Sequence, residues 1–209
     1  MATIAELIRN GQGRHITVGA LSTPIVGGGN GTILDLDQPE FAIGVPSGSA
    51  IRIVRAEIVV QGGIATGDSD ETEALIAVDS LGLWSGDGTL TNENPSNMRT
   101  DLDKGSLCKV GSAFTGNMTT TPGNGGAAAA PVLDMELARV AETYDTQTAA
   151  NVAYRQIRLV YEPKYSPVIV GPATVLGYWG GTIATVGGFA SVQWVEGSTK
   201  DLLPAIAGL

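Results

Sequence analysis

Val168-Ile169-Val170-Gly171-Pro172-Ala173-Thr174-Val175-Leu176-Gly177-Tyr178-Trp179 stands between two other β-rich runs, residues 152–162 (VAYRQIRLVYE) and 182–196 (TIATVGGFASVQWVE). Only residues 163–167 and 180–181 separate them. Runs crowded with Val, Ile, Tyr and Trp and bounded by Gly and Pro read as strands, because branched and aromatic side chains pack well on a pleated surface. Three such runs in a row predict the closing part of an antiparallel sandwich. The last of them ends Ala190-Ser191-Val192-Gln193-Trp194-Val195-Glu196, where Trp194 alternates with Val192 and Ala190 and so faces a core.

Working outward, further strands are expected at 15–21, 32–36, 40–45, 50–61, 73–80, 81–84 and 106–114. Gly27-Gly28-Gly29-Asn30-Gly31 and Pro46-Ser47-Gly48-Ser49 are turn signals. Residues 85–104 read as a loop. Residues 115–131, with four Thr and the run of Ala127 to Ala130, read as low-complexity connection; a connection that long tends to carry function or to be disordered. Residues 133–140 alternate Leu133, Met135 and Leu137 with Asp134 and Glu136, a half-buried strand pattern, although these residues also suit a helix. The N-terminus predicts a short helix: Thr3 and Glu6 have capping-box spacing, Ile4, Leu7 and Ile8 share a face, and Gly11 supplies a stop. So short a helix is marginal alone and must lie on its own sandwich or on a neighbouring subunit. The expectation is an all-β chain: residues 1–14 as helix and arm, 15–196 as one antiparallel β-sandwich, most simply an eight-stranded jelly roll, and 197–209 as an apolar tail.

Composition agrees. The 209 residues include 29 Gly and 10 Pro and are 43% hydrophobic but only 5% aromatic, which suits short strands, tight turns and an aliphatic interior. The formal net charge is −9. Between residues 62 and 103 nine carboxylates (Asp68, Asp70, Glu71, Glu73, Asp79, Asp87, Glu93, Asp101, Asp103) face one cation, Arg99, so that segment alone is net −8. Such a field repels phosphate, and neither a nucleic acid nor an anionic membrane is an expected partner. A single cysteine, Cys108, excludes an intrachain disulfide and reads as a small buried hydrophobe. The N-terminus lacks an apolar core after a basic start, and no apolar run approaches the roughly 18 residues of a membrane span. Synthesis in a cytoplasm is the expectation. Asn30-Gly31-Thr32 and Asn117-Met118-Thr119 match the glycosylation sequon and read as chance.

Catalytic chemistry finds little purchase, and no enzyme activity or cofactor is expected. Any Ser–His–Asp or Cys–His site must use His15, the one histidine. Ser106-Leu107-Cys108-Lys109 matches Ser-x-x-Lys, a pattern short enough to arise by chance. Asp35 with Asp37 and Asp101 with Asp103 are carboxylate pairs in sequence, which does not place them across a cleft. The Gly27 to Gly31 loop lacks a following Gly-Lys-Ser/Thr. Asp68, Asp70, Glu71 and Glu73 offer oxygens for a cation but lack EF-hand spacing, so a solvated acidic loop competes with an ion site. Trp84, Tyr178 and Trp179 are candidate exposed aromatic contacts, for example to a sugar, against simple packing.

The run from Gly171 to Trp179, the closing run from Ala190 to Glu196, and Phe41-Ala42-Ile43-Gly44-Val45-Pro46-Ser47-Gly48-Ser49 resemble the closing and opening strands of viral jelly-roll proteins. The acidic composition, rich in Gly, Ala and Thr and poor in His and Cys, is similar to that of tailed-phage head decoration (cement) proteins. That resemblance implies a homotrimer on the outer surface of the virion capsid, contacting the major capsid protein between capsomers and stabilising the shell. Ile4, Leu7, Ile8, Leu202, Leu203 and Ile206 would be docking positions. Gly/Ala-rich faces such as 180–190 would make trimer contacts. The alternatives are a shell-forming jelly-roll capsid protein, a phage receptor- or carbohydrate-binding module, and an enzyme on a β-sandwich.

Overall fold

The computed structural model describes residues 3–27, 34–62, 70–86, 90–102, 104–144, 155–181 and 186–202. In chain order these form α1 (Ile4–Arg9), β1 (Gly13–Val18), β2 (Ile25–Val26), β3 (Phe41–Val45), β4 (Ser49–Gly62), β5 (Asp70–Asp79), β6 (Gly82–Gly86), β7 (Thr91–Glu93), β8 (Ser96–Asn97), β9 (Lys109–Ser112), β10 (Thr119–Pro122), β11 (Met135–Tyr144), β12 (Arg155–Tyr161), β13 (Ile169–Val170), β14 (Ala173–Gly181), β15 (Val186–Ser198) and α2 (Thr199–Leu202).

The pairing is nested. β1 pairs β15, β3 pairs β14, β4 pairs β12 and β5 pairs β11, all antiparallel. The chain is thus one long hairpin, its outermost strands β1 and β15 paired with each other. Rolling that hairpin gives two sheets, ordered β12-β4-β15-β1 and β11-β5-β14-β3, with β8 and β9-β7 extending them. This is the jelly-roll order, and the expected all-β sandwich is the observed fold.

The three closing runs do not pair with one another as a meander. β12 and β15 flank opposite sides of β4, while β14 lies in the other sheet between β3 and β5. The run 168–179 is broken: β13 pairs with β4 at Ile51 and Ala50, the chain turns at the cis Gly171-Pro172 peptide, and β14 then enters the second sheet. Proline has no N–H for a ladder, which is why the strand stops there.

Between the sheets lies a core of Ile43, Ile51, Ile53, Ile58, Ile76, Val175, Trp179, Val192 and Trp194 with their neighbours. Trp179 and Trp194 are among the largest fully buried side chains, and Trp179 fits because glycines face it. A Cβ on Gly188 would sit 2.8 Å from the Trp179 ring, and one on Gly177 only 1.9 Å from Phe41. Gly188 therefore makes room for an aromatic inside this chain, and of the expected trimer face Gly180, Gly181, Val186, Gly188 and Ala190 are buried, while residues 182–185 lie outside the described residues.

A second core covers the outer face of the β5-β14-β3 sheet. The two-stranded β6-β10 sheet lays Trp84 over Ala42, Leu75, Ala77, Leu176 and Tyr178, with Phe114 and Met118 closing the side. Trp84 meets Phe114 edge-on at 5.1 Å, and Lys109 caps the indole face at 3.8 Å. The low-complexity stretch 115–131 thus contributes a strand, β10, and a fully buried methionine. Residues 34–36, expected as strand, are not, and residues 85–104 include the short β7 and β8.

A third cluster, Leu7, Ala50, Val195 and Leu202, sits on the outer face of the β4-β15 sheet, with Ile8, Val54 and Val168 packed against it. The α1 capping box forms as expected. Both terminal helices therefore lie on their own sandwich, and burying each leucine contributes about 1.5–3 kcal/mol.

Candidate functional site

One end of the sandwich carries an apolar cleft of about 580 Å³, between the β5–β6 turn, the segment after β10 and the Gly171-Pro172 corner. Asp79, only 3% exposed, builds its floor. Its Oδ1 accepts hydrogen bonds from the N–H groups of Leu81 (3.2 Å) and Gly82 (2.8 Å). Its Oδ2 accepts from the Thr120 hydroxyl (2.6 Å) and the Val132 N–H (3.2 Å). One carboxylate thus ties three segments of chain together. Gly82 must be glycine here, since a Cβ would lie 2.5 Å from both Asp79 Oδ2 and Thr120 Oγ1. Asp134 repeats the device on the rim, accepting from the Ser80 N–H at 2.9 Å and from the Ser80 hydroxyl. The Thr120 and Ala129 backbones exchange hydrogen bonds of 2.8 and 3.1 Å, which folds the Ala-rich segment back over β10. Gly123 lets β10 close on Pro172, where a Cβ would come within 2.3 Å of the ring.

What remains facing the opening is aliphatic. Leu81 is 72% exposed, Val132 65% and Val170 37%, beside Pro122, Ala129, Ala130 and Pro172. Solitary exposed aliphatics are ordinary, but a contiguous concave group of them is a contact surface. The volume lies in the range of ligand pockets. With both carboxylates taken up by local donors, the cleft offers shape and apolar area. It is suited to holding an apolar segment.

The residues singled out from the sequence lie elsewhere. Trp84, Tyr178 and Trp179 are buried, which corrects their expected exposure. Trp84 and Tyr178 fill the second core, Trp179 fills the first, and their polar atoms face inward: the Tyr178 hydroxyl donates to Leu36 O (2.8 Å) and Trp179 Nε1 to Ile25 O (3.0 Å). Burial pushes the Tyr178 hydroxyl above its ordinary pKa. Among the docking candidates, Leu7 and Leu202 are buried in the third cluster and Ile8 packs against it, while Ile4 is 36% exposed. Leu203 and Ile206 lie outside the described residues.

Of the cation candidates, Asp68 and the Asp70 side chain lie outside the described residues. Glu71 and Glu73 belong to β5, so the acidic stretch enters a strand three residues earlier than expected. Glu73 pairs with Arg139 of β11. Among the described residues no three His, Cys, Asp or Glu side chains gather as a metal centre. Other carboxylates of the acidic segment have partners of their own: Asp79 is held by neutral donors, Glu93 accepts from Ser112, and Asp101 pairs with Arg99, which holds its carboxyl below the usual range. Asp103 lies outside the described residues. Asp35 hydrogen-bonds Asp37, which raises the Asp35 pKa.

His15 lies on the outer face of β1, its Nε2 3.1 Å from the Ser191 hydroxyl. Ser106 and Lys109 turn to different partners, Glu196 and the Trp84 ring. Cys108 is buried, and burial, reinforced by Glu196, pushes its thiol up. Beside it Arg14 and Glu196 form a buried ion pair at 2.8 Å. That contact is coulombic, since Arg14 Nε makes no aligned hydrogen bond there. Glu196 also accepts from Ser106 Oγ (2.7 Å), Leu107 N–H (2.9 Å) and Trp194 Nε1 (3.2 Å), while Arg14 donates to the carbonyls of Gly11, Gly13 and Gly105. The cluster pins the segment before β9 onto β1 and β15.

Sequence reasoning missed Asp79, Leu81, Thr120 and Val132 as site residues. The available signals were the length of 115–131 and an isolated leucine in the turn Asp79-Ser80-Leu81-Gly82. No helix among the described residues is long and apolar enough to cross a membrane. No protein-family model, curated protein or solved structure matches this chain.

Proposed function

We propose that this chain is a virion structural protein: a capsid decoration protein that sits on the outer shell, binds the major capsid protein between capsomers as a homotrimer, and stabilises the lattice. The observation that carries the reading is the nested strand order, β12-β4-β15-β1 over β11-β5-β14-β3, an architecture widely used by viral shell proteins. The support is an analogy of architecture joined to charge. A net charge of −9, concentrated in residues 62–103, suits a surface turned away from packaged nucleic acid. The mechanism is linkage: a subunit that binds only the assembled lattice stabilises it in proportion to its binding free energy.

The same strand order favours a second reading, the shell-forming subunit itself. The carbohydrate-binding alternative loses its support with the burial of Trp84, Tyr178 and Trp179. The test is the mass of the purified protein by light scattering, followed by electron microscopy of the same sample. Decoration predicts a discrete species near three times 21.4 kDa and no closed particles. Closed shells would give the second reading, and a monomer at every concentration would overturn both.

A further inference from the structure

The apolar cleft and α2, where the described residues end, lie close together. α2 follows β15 directly, and its last residue, Leu202, is buried with Leu7, Ala50 and Val195, with Val168 packed against them. Two residues after Val168, Val170 already lines the cleft. A hydrogen-bonded path joins the two places. The Thr199 N–H donates to Gly48 O at 3.1 Å, and the Gly171 N–H donates to Ser49 O at 2.9 Å. Only the 46–49 turn therefore separates α2 from the Gly171-Pro172 wall.

After Leu202 the sequence continues Leu203-Pro204-Ala205-Ile206-Ala207-Gly208-Leu209, seven residues without a charged side chain. At about 3.3 Å per residue they reach about 23 Å. From Leu202 the way back along α2 is about 5 Å and the two strand-to-strand steps to the cleft wall are about 5 Å each, so the tail arrives there using about 15 Å of that reach. The chemistry also matches. The cleft presents Leu81, Val132, Val170, Pro122 and Pro172, and its carboxylates are satisfied locally, so an uncharged aliphatic segment enters without leaving a buried charge unpaired.

We infer that the cleft is the seat of this chain's own apolar tail, residues 203–209. Docking within one chain needs only weak intrinsic affinity, because a short tether supplies an effective concentration in the millimolar range. The seated tail covers Leu81 and Val132, fastens the Ala-rich segment after β10 to the Gly171-Pro172 corner, and leaves the tail unavailable as an arm for a partner. This inference is independent of the virion reading.

The test measures how fast N-ethylmaleimide labels cysteines placed at the cleft, in Leu81→Cys and Val132→Cys, with Val26→Cys as an exposed control on β2. The native Cys108 is buried and provides the blank. Truncation after Leu202 should raise labelling at both cleft positions about tenfold, the occupancy change expected when a millimolar tether holds a contact of about 0.1 mM affinity. Val26→Cys should not change, and the seven-residue peptide added to truncated protein should restore protection. If truncation prevents folding, Ile206→Asp in the full chain gives the same readout. Equal labelling with and without the tail would overturn the inference. So would protection that fades on dilution, which would assign the tail to a second copy.

Discussion

Replacing Asp79 by Ala removes the acceptor for four donors at once, and they are not equivalent. Leu81 and Val132 are largely exposed, so their N–H groups can turn to water when the carboxylate goes. Gly82 and Thr120 are buried, and their donors have no such recourse. Leaving a buried donor unsatisfied costs about 1–3 kcal/mol. The Thr120 hydroxyl can rotate, which puts its share at the lower end. Asp79→Ala should therefore destabilise the fold by about 2–4 kcal/mol, and Thr120→Val by about 1 kcal/mol. Asp79→Asn keeps Oδ1 but turns an NH2 toward the Val132 N–H, so its cost should fall between, near 2 kcal/mol. The assay is urea unfolding followed by tryptophan fluorescence, with the Asp79→Ala/Thr120→Val double variant completing a cycle. A favourable coupling of about 1 kcal/mol between the two positions is expected. An Asp79→Ala cost under about 1 kcal/mol, or strict additivity in the cycle, would refute the idea that this carboxylate holds the cleft floor.

Three further outcomes follow from the packing and charges. Glu196→Gln should cost about 3–5 kcal/mol by leaving Arg14 buried without its counter-charge, and Arg14→Met/Glu196→Leu should recover much of that; urea midpoints decide it. Gly177→Ala places a methyl into the Phe41 ring and should cost about 1–3 kcal/mol or more, with Phe41→Leu in the same chain relieving it, read as shifts in thermal midpoint. Asp35, held above the usual carboxylate range by Asp37 and by burial, stabilises the fold fully below its unfolded pKa and loses that contribution as pH rises through the folded value. Asp35→Asn should then raise the thermal midpoint relative to the unsubstituted chain at neutral pH but not near pH 3, and a constant difference across pH would contradict the linkage.

The strands were legible because their signal is local. The alternation of Val186, Ala190, Val192 and Trp194 marks a buried face whatever the strand pairs with, and Thr3 with Glu6 marks a helix start within four residues. The strand at 133–140 was half legible: Met135 and Leu137 alternate and do pack on the core, but a bulge between Glu136 and Ala138 shifts the phase, so that Ala138 and Val140 pack there as well. Trp84 and Tyr178 were misread because aromatics beside glycines look like exposed turn residues. In the fold both rings are buried, and the glycine that makes room for the Trp84 ring is Gly111, far away in sequence.

By itself, then, the sequence determined the β class, the capped helix at one end, the acidic bias and the single histidine and cysteine, all of which follow from composition or short-range periodicity. Only the tertiary structure decided that β1 meets β15 and β3 meets β14, that β6 and β10 roof a second core, and that Asp79, Thr120 and Val132 share one carboxylate. These are contacts between residues tens to well over a hundred positions apart. They depend on which apolar faces can be buried together across the whole chain, and no window of neighbouring residues carries that information.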